Sequence, residues 1–144
     1  MGEPTLDDEQ ETRMAHLEIR PDVLRSALES IPDDTPFLML NLLRFREKAH
    51  YDAESSELSG REAYALYGKH AREYLTRIGA EVVVMGAAHG TVIGPAEEDW
   101  HTVMFVRYPS IAAFVAMAND PEYARIAVHR EAALEDSRLI PVVA

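Results

Sequence analysis

One segment, residues 37–45 with the sequence FLMLNLLRF, limits most strongly what this chain can fold into. Successive residues of a β-strand point to opposite faces of the sheet. Here one face receives Phe37, Met39, Leu43 and Phe45, and the other receives Leu38, Leu40 and Leu42. A strand with one face in water would alternate apolar and polar residues, so both faces of this strand need cover. The segment from Trp100 to Tyr108 repeats the pattern, which predicts a sheet with two apolar faces.

The remaining elements follow from periodicity and end signals. Helices are predicted over 21–31, from Gly60 or Arg61 to Ile78, from Ser110 to about Met117, and from Asp120 to about Leu134. The second begins with a Ser59–Glu62 capping box and ends at Gly79. Strands are predicted within 81–94, over 100–108 and over 139–143, and residues 46–58 as a surface loop. The order is β-α-β-β-α-β, an α+β ferredoxin-like antiparallel sheet with an N-terminal helical extension.

These elements predict one domain over 1–144, with the extension at 1–36 and the core at 37–144. The strand at 81–94 and the strand at 100–108 are expected to form a hairpin. If residues 95–99 are the whole connecting loop, Ile93 lies opposite His101, and His89 lies opposite Phe105.

Composition excludes several functional classes. The 144 residues include no cysteine, which excludes thiolate catalysis and Cys-ligated metal centres. With 14 basic against 25 acidic residues the formal net charge is -11, so nucleic acid is not an expected partner. No apolar run approaches the length of a membrane span, and residues 1–14 lack an export signal, which predicts a cytoplasmic protein that does not bind membranes. No Gly-rich phosphate motif and no paired histidine spacing is present, so neither a cofactor nor a metal is expected.

The second apolar face of the sheet also predicts the partner. Several exposed Phe, Met and Leu side chains on a monomer would forfeit about 25 cal/mol per Å² of apolar surface, and a large apolar patch normally marks an interface. We therefore expect a homodimer in which two sheets pack face to face in a barrel-like sandwich.

From Gly79 onward the sequence resembles the family known as domain of unknown function 1330, in the dimeric α+β barrel superfamily. The likeness rests on Gly79, the acidic residues before Trp100, Tyr108-Pro109-Ser110, Asp120-Pro121-Glu122-Tyr123, Arg130 and Asp136-Ser137-Arg138. It extends over the chain from Phe37, and the N-terminal extension and the 46–58 segment depart from the short form of the family. The resemblance implies the fold and the dimer. It implies little about activity, because the superfamily holds cofactor-free monooxygenases, isomerases, haem enzymes and proteins without known catalysis.

Four residues are candidates for hydrogen bonding or proton transfer. Asn41 is the single polar residue among the apolar neighbours of its strand, and it either makes a core hydrogen bond or orients a substrate carbonyl. Tyr67 lies on the core face of its helix and either packs there or donates to a substrate oxygen. His70, at the margin of that face, and His89, beside a glycine, are candidate acids or bases because imidazole titrates near neutrality. We therefore predict Tyr67, His70 and His89 as catalytic and Asn41 as substrate-binding.

Three further residues are predicted to bind substrate. Arg44 and Arg130 either form surface ion pairs or hold a substrate carboxylate, for which the guanidinium fork is suited. Trp100 is either an interface anchor or a pocket wall.

Two functions remain open: a cofactor-free oxygenase, isomerase or cyclase acting on a small conjugated or aromatic carbonyl compound, or a non-catalytic dimeric module that binds a small molecule. Haem binding through a lone histidine is a third hypothesis.

Overall fold

The computed structural model describes residues 16–52 and 54–144. Its helices are α1 (Pro21–Leu28), α2 (Gly60–Arg77), α3 (Ile111–Ala118) and α4 (Pro121–Ala133). Its strands are β1 (Phe37–Phe45), β2 (Lys48–Tyr51), β3 (Glu54–Ser59), β4 (Glu81–Ala87), β5 (Thr102–Tyr108) and β6 (Leu134–Val142). The predicted extension is helical at α1, and residues 1–15 of it lie outside the described residues.

Four strands form one antiparallel sheet in the order β4-β5-β1-β6. The chain makes β1, crosses over through α2 to β4, turns back into β5 beside β1, and crosses through α3 and α4 to β6. This is the split βαβ arrangement of the ferredoxin-like fold. The predicted fold is therefore confirmed, and β1, the strand with two apolar faces, lies in the interior of the sheet.

One face of the sheet packs against the helices. Every second residue of β1 is buried on this face, including Asn41 in its middle. The main core cluster joins Phe37 and Met39 of β1 to Val106 of β5 and to Phe114 of α3. This packing supplies most of the apolar burial that stabilises the fold.

The long helix α2 begins and ends as its sequence predicts. The Ser59 hydroxyl accepts from the Glu62 amide, and the Glu62 carboxylate accepts from the Ser59 amide. Beyond the helix, Gly79 adopts a φ of 78°, a left-handed conformation that glycine tolerates without a steric penalty. The core-facing stripe is the predicted one, with Ala63, Tyr64, Ala71, Tyr74 and Leu75 buried.

The segment predicted as a loop at 46–58 instead forms the antiparallel pair β2 and β3. Ala49 is buried there in a second cluster, and Tyr51 and Leu58 pack against the same cluster. With so few apolar side chains among polar ones, the hairpin has no clear two-residue alternation, and its pairing depends on the helices beneath it.

The predicted register of the β4–β5 hairpin was wrong. Gly86 pairs with Val103 and Val84 with Phe105, so the connection runs from residue 88 to residue 101. Gly90 and Gly94 have φ values of 84° and 144°, and these conformations turn the chain within a loop longer than predicted. Two other bounds also differ, since α1 ends at Leu28 and β6 begins at Leu134.

The other face of the sheet has no helix over it in the described part of the chain. Register places Leu40 of β1 beside Phe105 of β5 and Ile140 of β6, and Phe105 beside Val84 of β4. Val84 is 57% exposed and Ile140 45% exposed. We call this surface the outer face; its apolar members are Leu38, Leu40, Leu42, Val84, Val103, Phe105, Ile140 and Val142.

Candidate functional site

A cavity of about 890 Å³ lies between the helix-facing side of the sheet and helices α2 and α4. Its sheet wall is largely apolar and includes Val82 and Met85 of β4 and Met104 and Val106 of β5. Val82 pairs with Val106 across the strands, and Met85 pairs with Met104. Such cross-strand neighbours share a face of the sheet. Strand pairing therefore places an apolar floor beneath the two helices.

The helices contribute an arginine and several phenols. Arg130 and Tyr123 lie seven residues apart on α4, which places them on one face two turns apart. Tyr64 and Tyr67 line the cavity from α2, and Tyr108 lines it from the end of β5. These four tyrosines are electrostatic neighbours of the Arg130 guanidinium. We call the set Tyr64, Tyr67, Tyr108, Tyr123 and Arg130 the tyrosine–arginine cluster.

The hydroxyls of the cluster differ in their hydrogen bonding. Those of Tyr67 and Tyr123 are hydrogen-bonded to each other at 2.7 Å. The hydroxyl of Tyr64 is buried and has no hydrogen-bond partner among the described residues. Such a group loses its hydrogen bonds to water without replacement, at a cost of about 1–3 kcal/mol. The cluster therefore contains one donor that a bound oxygen atom would satisfy.

Burial keeps these phenols protonated. It raises the pKa of Tyr64 to about 12, with the positive charge of Arg130 opposing the shift. It raises the pKa of Tyr67 well above its ordinary value, and nearby Tyr123 adds to the effect. At neutral pH both side chains are neutral hydroxyls. They serve as hydrogen-bond donors toward a ligand oxygen, whereas neither is prepared to act as a phenolate base.

Asn41 lies in the cavity wall and also makes a core hydrogen bond. Its side-chain amide donates to the Met39 carbonyl at 3.2 Å, and the residue is 5% exposed. The structure shows the core hydrogen bond, and orientation of a substrate carbonyl by Asn41 stays a prediction. The hydrogen bond fixes the side chain while it faces the cavity.

The entrance of the cavity is charged and is partly formed by the N-terminal extension. Lys69, Arg72 and Glu73 of α2 line it, as do Leu17, Glu18 and Ile19. Leu17 is buried in the second core cluster. Beside it, the His16 imidazole approaches the Asp136 carboxylate at 2.7 Å, which connects the extension to β6.

The two predicted catalytic histidines do not share the cavity with Tyr67. None of the six histidines, all within the described part of the chain, lines it. His70 is exposed and stacks on His129 at a centroid distance of 6.3 Å, where both line a shallow groove. His89 is exposed in the loop after β4. The structure does not bring either residue to the cavity, because His70 lies on the outer margin of α2 and β4 ends at Ala87, before His89; a catalytic role for them stays a prediction.

Arg44 and Trp100 also lie away from the cavity. The Arg44 guanidinium donates to the Glu97 carbonyl at 2.8 Å and to the Asp136 carboxylate at 3.3 Å. Trp100 lies between the guanidinium groups of Arg44 and Arg138, at 5.6 and 5.0 Å from its ring centroid. These contacts fix the loop before β5 to the sheet, and the structure brings neither Arg44 nor Trp100 to this cavity.

The predicted site residues that the structure brings together are Asn41, Tyr67 and Arg130, from β1, α2 and α4. Tyr64, Tyr108 and Tyr123 also line the cavity but were not among the predicted site residues. Tyr64 lies on the buried stripe of α2. Tyr123 precedes Arg130 by two helical turns, and this spacing is the signal that would have found it. Tyr108, at the end of a strand, has no such signal in the sequence.

Within residues 16–52 and 54–144, no group of three or more histidine, aspartate or glutamate side chains is placed to hold a metal ion. No helix in the same ranges has the length and apolar character to cross a bilayer. The cytoplasmic location stays a prediction.

Comparison with solved structures identifies similar proteins. The RPA0582 protein of unknown function from Rhodopseudomonas palustris is 40% identical over 88% of this chain and 95% of its own, with a TM-score of 0.78. The methylated RPA0582 protein is 39% identical over 90% of this chain and 94% of its own, with a TM-score of 0.80. A hydroxynitrile lyase from Passiflora edulis, 16% identical over 77% of this chain and 95% of its own, has a TM-score of only 0.46.

No curated protein is matched by the chain. A family model does match it: the model described as domain of unknown function (DUF1330) covers residues 50–143, from β2 to the last residues of the chain. This span includes α2, α4 and the whole tyrosine–arginine cluster. It leaves out β1 with Asn41, and also the extension that lines the entrance. The resemblance noted in the sequence is thereby confirmed, and the chain belongs to the DUF1330 family.

Proposed function

We propose that the protein binds a small, largely apolar compound bearing a carbonyl or related oxygen group in the cavity between its sheet and helices α2 and α4. The observation that carries the proposal is the uneven distribution of polar groups in the cavity wall. Arg130 and the tyrosine hydroxyls come from the helices and the end of β5, and the sheet beneath is apolar. An apolar body with a polar oxygen at one end fits this distribution.

The size of the cavity and its donors support the same proposal. Its volume falls within the ~300–1,000 Å³ that is usual for small-molecule sites. Arginine donates hydrogen bonds and accepts none, and the raised pKa values of Tyr64 and Tyr67 keep those hydroxyls available as donors. A wall rich in donors selects a ligand whose polar atoms are acceptors, such as carbonyl or carboxylate oxygens.

Binding is better supported than conversion of the ligand. A cofactor-free oxygenase, isomerase or cyclase needs a group that removes a proton from its substrate. Tyr67 is a protonated donor, and His70 and His89 are outside the cavity. The paired hydroxyls of Tyr67 and Tyr123 still offer a route for returning a proton to a substrate oxygen, so catalysis is the second candidate function.

The test measures binding of acetophenone and benzoylacetone by calorimetry in the wild type and in two matched variants. Ala127→Trp places an indole in the cavity wall, whereas Ala116→Trp places one on an exposed position of α3 outside it. We expect saturable binding that Ala127→Trp abolishes and Ala116→Trp preserves. Equal binding by both variants would refute the cavity as the site. Mass spectrometry of the same mixtures then separates the two functions, because only an enzyme forms product.

We also propose that two copies associate through the outer face as a homodimer. Its strands bring eight apolar side chains together. Two charged residues at its ends already have carboxylate partners: Arg107 pairs with Glu81, and Arg138 pairs with Asp136 and Glu98. No acidic side chain interrupts the centre, so a chain of net charge -11 can pair there without apposed carboxylates. In sedimentation equilibrium we expect a dimer for the wild type and a monomer for Leu40→Glu. A monomeric wild type at micromolar concentration would rule out this assembly.

A further inference from the structure

The Arg130 guanidinium differs from those of Arg44, Arg77 and Arg138 in its lack of an acidic partner among the described residues. Arg44, Arg77 and Arg138 each form an ion pair with a carboxylate. Within residues 16–52 and 54–144, no carboxylate lies within 4.0 Å of the Arg130 guanidinium. A charge in an enclosed, largely apolar setting is unfavourable unless an opposite charge accompanies it.

Among the described residues, no carboxylate forms an ion pair with Arg130 to provide that opposite charge. Tyr64, Tyr67, Tyr108 and Tyr123 are its electrostatic neighbours, and burial raises the pKa of three of them, so they are neutral at physiological pH. Their hydroxyls add hydrogen-bond donors, among them the unpartnered hydroxyl of Tyr64. The cluster therefore combines one positive charge with several donors, as sites for oxyanions do.

Three carboxylates also line the cavity. They belong to Glu18, Glu73 and Glu131, and none of them forms an ion pair with Arg130 in the described part of the chain. Glu73 shares the entrance with Lys69 and Arg72, and both Glu18 and Glu73 are exposed. The balance of charge at the inner cluster is thus positive, whereas the entrance carries both signs.

We propose that the ligand of this cavity is an organic monoanion whose charged oxygen lies between Arg130 and the hydroxyl of Tyr64, with its apolar body on the floor formed by Met104 and Val106. The inference rests on the proposed function and specifies its ligand class as a carboxylate or an ionised enol. Arg130 supplies the opposite charge, and Tyr64 gains the hydrogen bond that it lacks. The wide apolar floor selects against small inorganic anions, which have no apolar part to bury.

The test compares two ligands of the same shape, 3-phenylpropionate and its neutral amide, by calorimetry. We expect the wild type to bind the acid at least tenfold more tightly than the amide. Arg130→Met should reduce this preference to less than twofold, whereas Arg72→Met, which removes an exposed cation from the entrance, should retain it. Tyr64→Phe should weaken the binding of the acid more than the binding of the amide. Equal affinity for both ligands would overturn the anion inference while leaving the proposed function intact. If the protein bound none of the four compounds, 3-phenylpropionate, its amide, acetophenone and benzoylacetone, both proposals would be overturned.

A measurement on the wild type alone covers the case in which Arg130→Met does not fold. Bound 4-nitrophenol reports its own ionisation through the absorbance of the nitrophenolate band. We expect its pKa to fall by at least one unit on binding, because Arg130 stabilises the ionised form, and the shift should persist in Arg72→Met. An unchanged or raised pKa of the bound phenol would contradict the presence of an anion site.

Discussion

At the scale of single residues, tyrosine hydroxyls on the same helix, α2, have different hydrogen-bonding roles. Tyr74, on the edge of the α2 stripe, donates to the Asp120 carboxylate at 2.6 Å, and Tyr67 shares a hydrogen bond with Tyr123. Tyr64 is as buried as Tyr74 but its hydroxyl has no partner among the described residues. A buried donor kept without a partner costs stability, which is the pattern found where a binding site is prepared for a ligand.

This difference predicts opposite effects of the same substitution. Tyr74→Phe removes a hydrogen bond to a charged group and should lower the free energy of unfolding by about 1.5–3 kcal/mol. Tyr64→Phe removes an unpartnered hydroxyl and should leave the free energy of unfolding unchanged or raise it by about 1 kcal/mol. Urea unfolding of both variants measures the two effects. If Tyr64→Phe destabilised the protein as much as Tyr74→Phe, the Tyr64 hydroxyl would have a partner in the folded protein.

At the scale of elements, the packing of α2 depends on the glycine at its first residue. A Cβ atom at Gly60 would overlap the Arg46 carbonyl oxygen and lie 2.7 Å from the Ala133 carbonyl oxygen. The Gly60 amide also donates to the Arg46 carbonyl at 3.1 Å. The beginning of α2 is therefore in backbone contact with the chain segments after β1 and at the end of α4.

Two alanine substitutions in the same helix test this packing. Gly60→Ala should lower the free energy of unfolding by about 2–3 kcal/mol, because main-chain atoms must shift to make room. Gly68→Ala, which meets nothing within 4 Å, should raise it by about 0.5–1 kcal/mol through higher helix propensity. Chemical denaturation of the pair gives both values. Similar effects at the two positions would contradict the close approach at Gly60.

The hairpin of β2 and β3 docks on α4 through a histidine, which makes its contribution to stability pH-dependent. Tyr51 of β2 is hydrogen-bonded to Nδ1 of His129 at 2.7 Å. Burial lowers the pKa of His129, and the neighbouring His70 lowers it further. The unfolded chain then binds a proton at this residue more readily than the folded one. The free energy of unfolding should therefore fall as the pH decreases from about 7 to 5.

The residue can be isolated by substitution. His129→Gln should flatten the dependence of the unfolding midpoint on pH between 7 and 5. His50→Gln, at an exposed position of β2, should leave that dependence as it is in the wild type. Urea midpoints at pH 7, 6 and 5 for the three proteins provide the comparison. An identical pH dependence of His129→Gln and the wild type would show that His129 does not titrate differently on folding.

At the scale of the whole molecule, local signals predicted most elements and, through their order, the fold of the core, but they missed the β2–β3 hairpin and the length of the loop after β4. The two apolar faces of β1, the capping box at Ser59 and Gly79 after α2 are properties of short segments, and the structure confirms each of them. The β2–β3 hairpin and the length of the loop after β4 depend on contacts between distant segments. Periodicity within either segment does not contain that information.

The candidate site shows the same division. Asn41, Tyr67 and Arg130 were each identified by their local setting, and the sheet and two helices then place them around one cavity. His70 follows Tyr67 by three residues on α2, yet it lies on the exposed margin of the helix. The absence of an acidic neighbour for Arg130 among the described residues is visible only in the folded molecule.

The most direct test of the whole account is a crystal structure of the protein grown with 3-phenylpropionate. The account predicts electron density for the ligand in the cavity, with its carboxylate within hydrogen-bond distance of the Arg130 guanidinium and its ring on the apolar floor at Met104 and Val106. A cavity closed by side chains, or a ligand bound only at the surface groove beside His70 and His129, would contradict it.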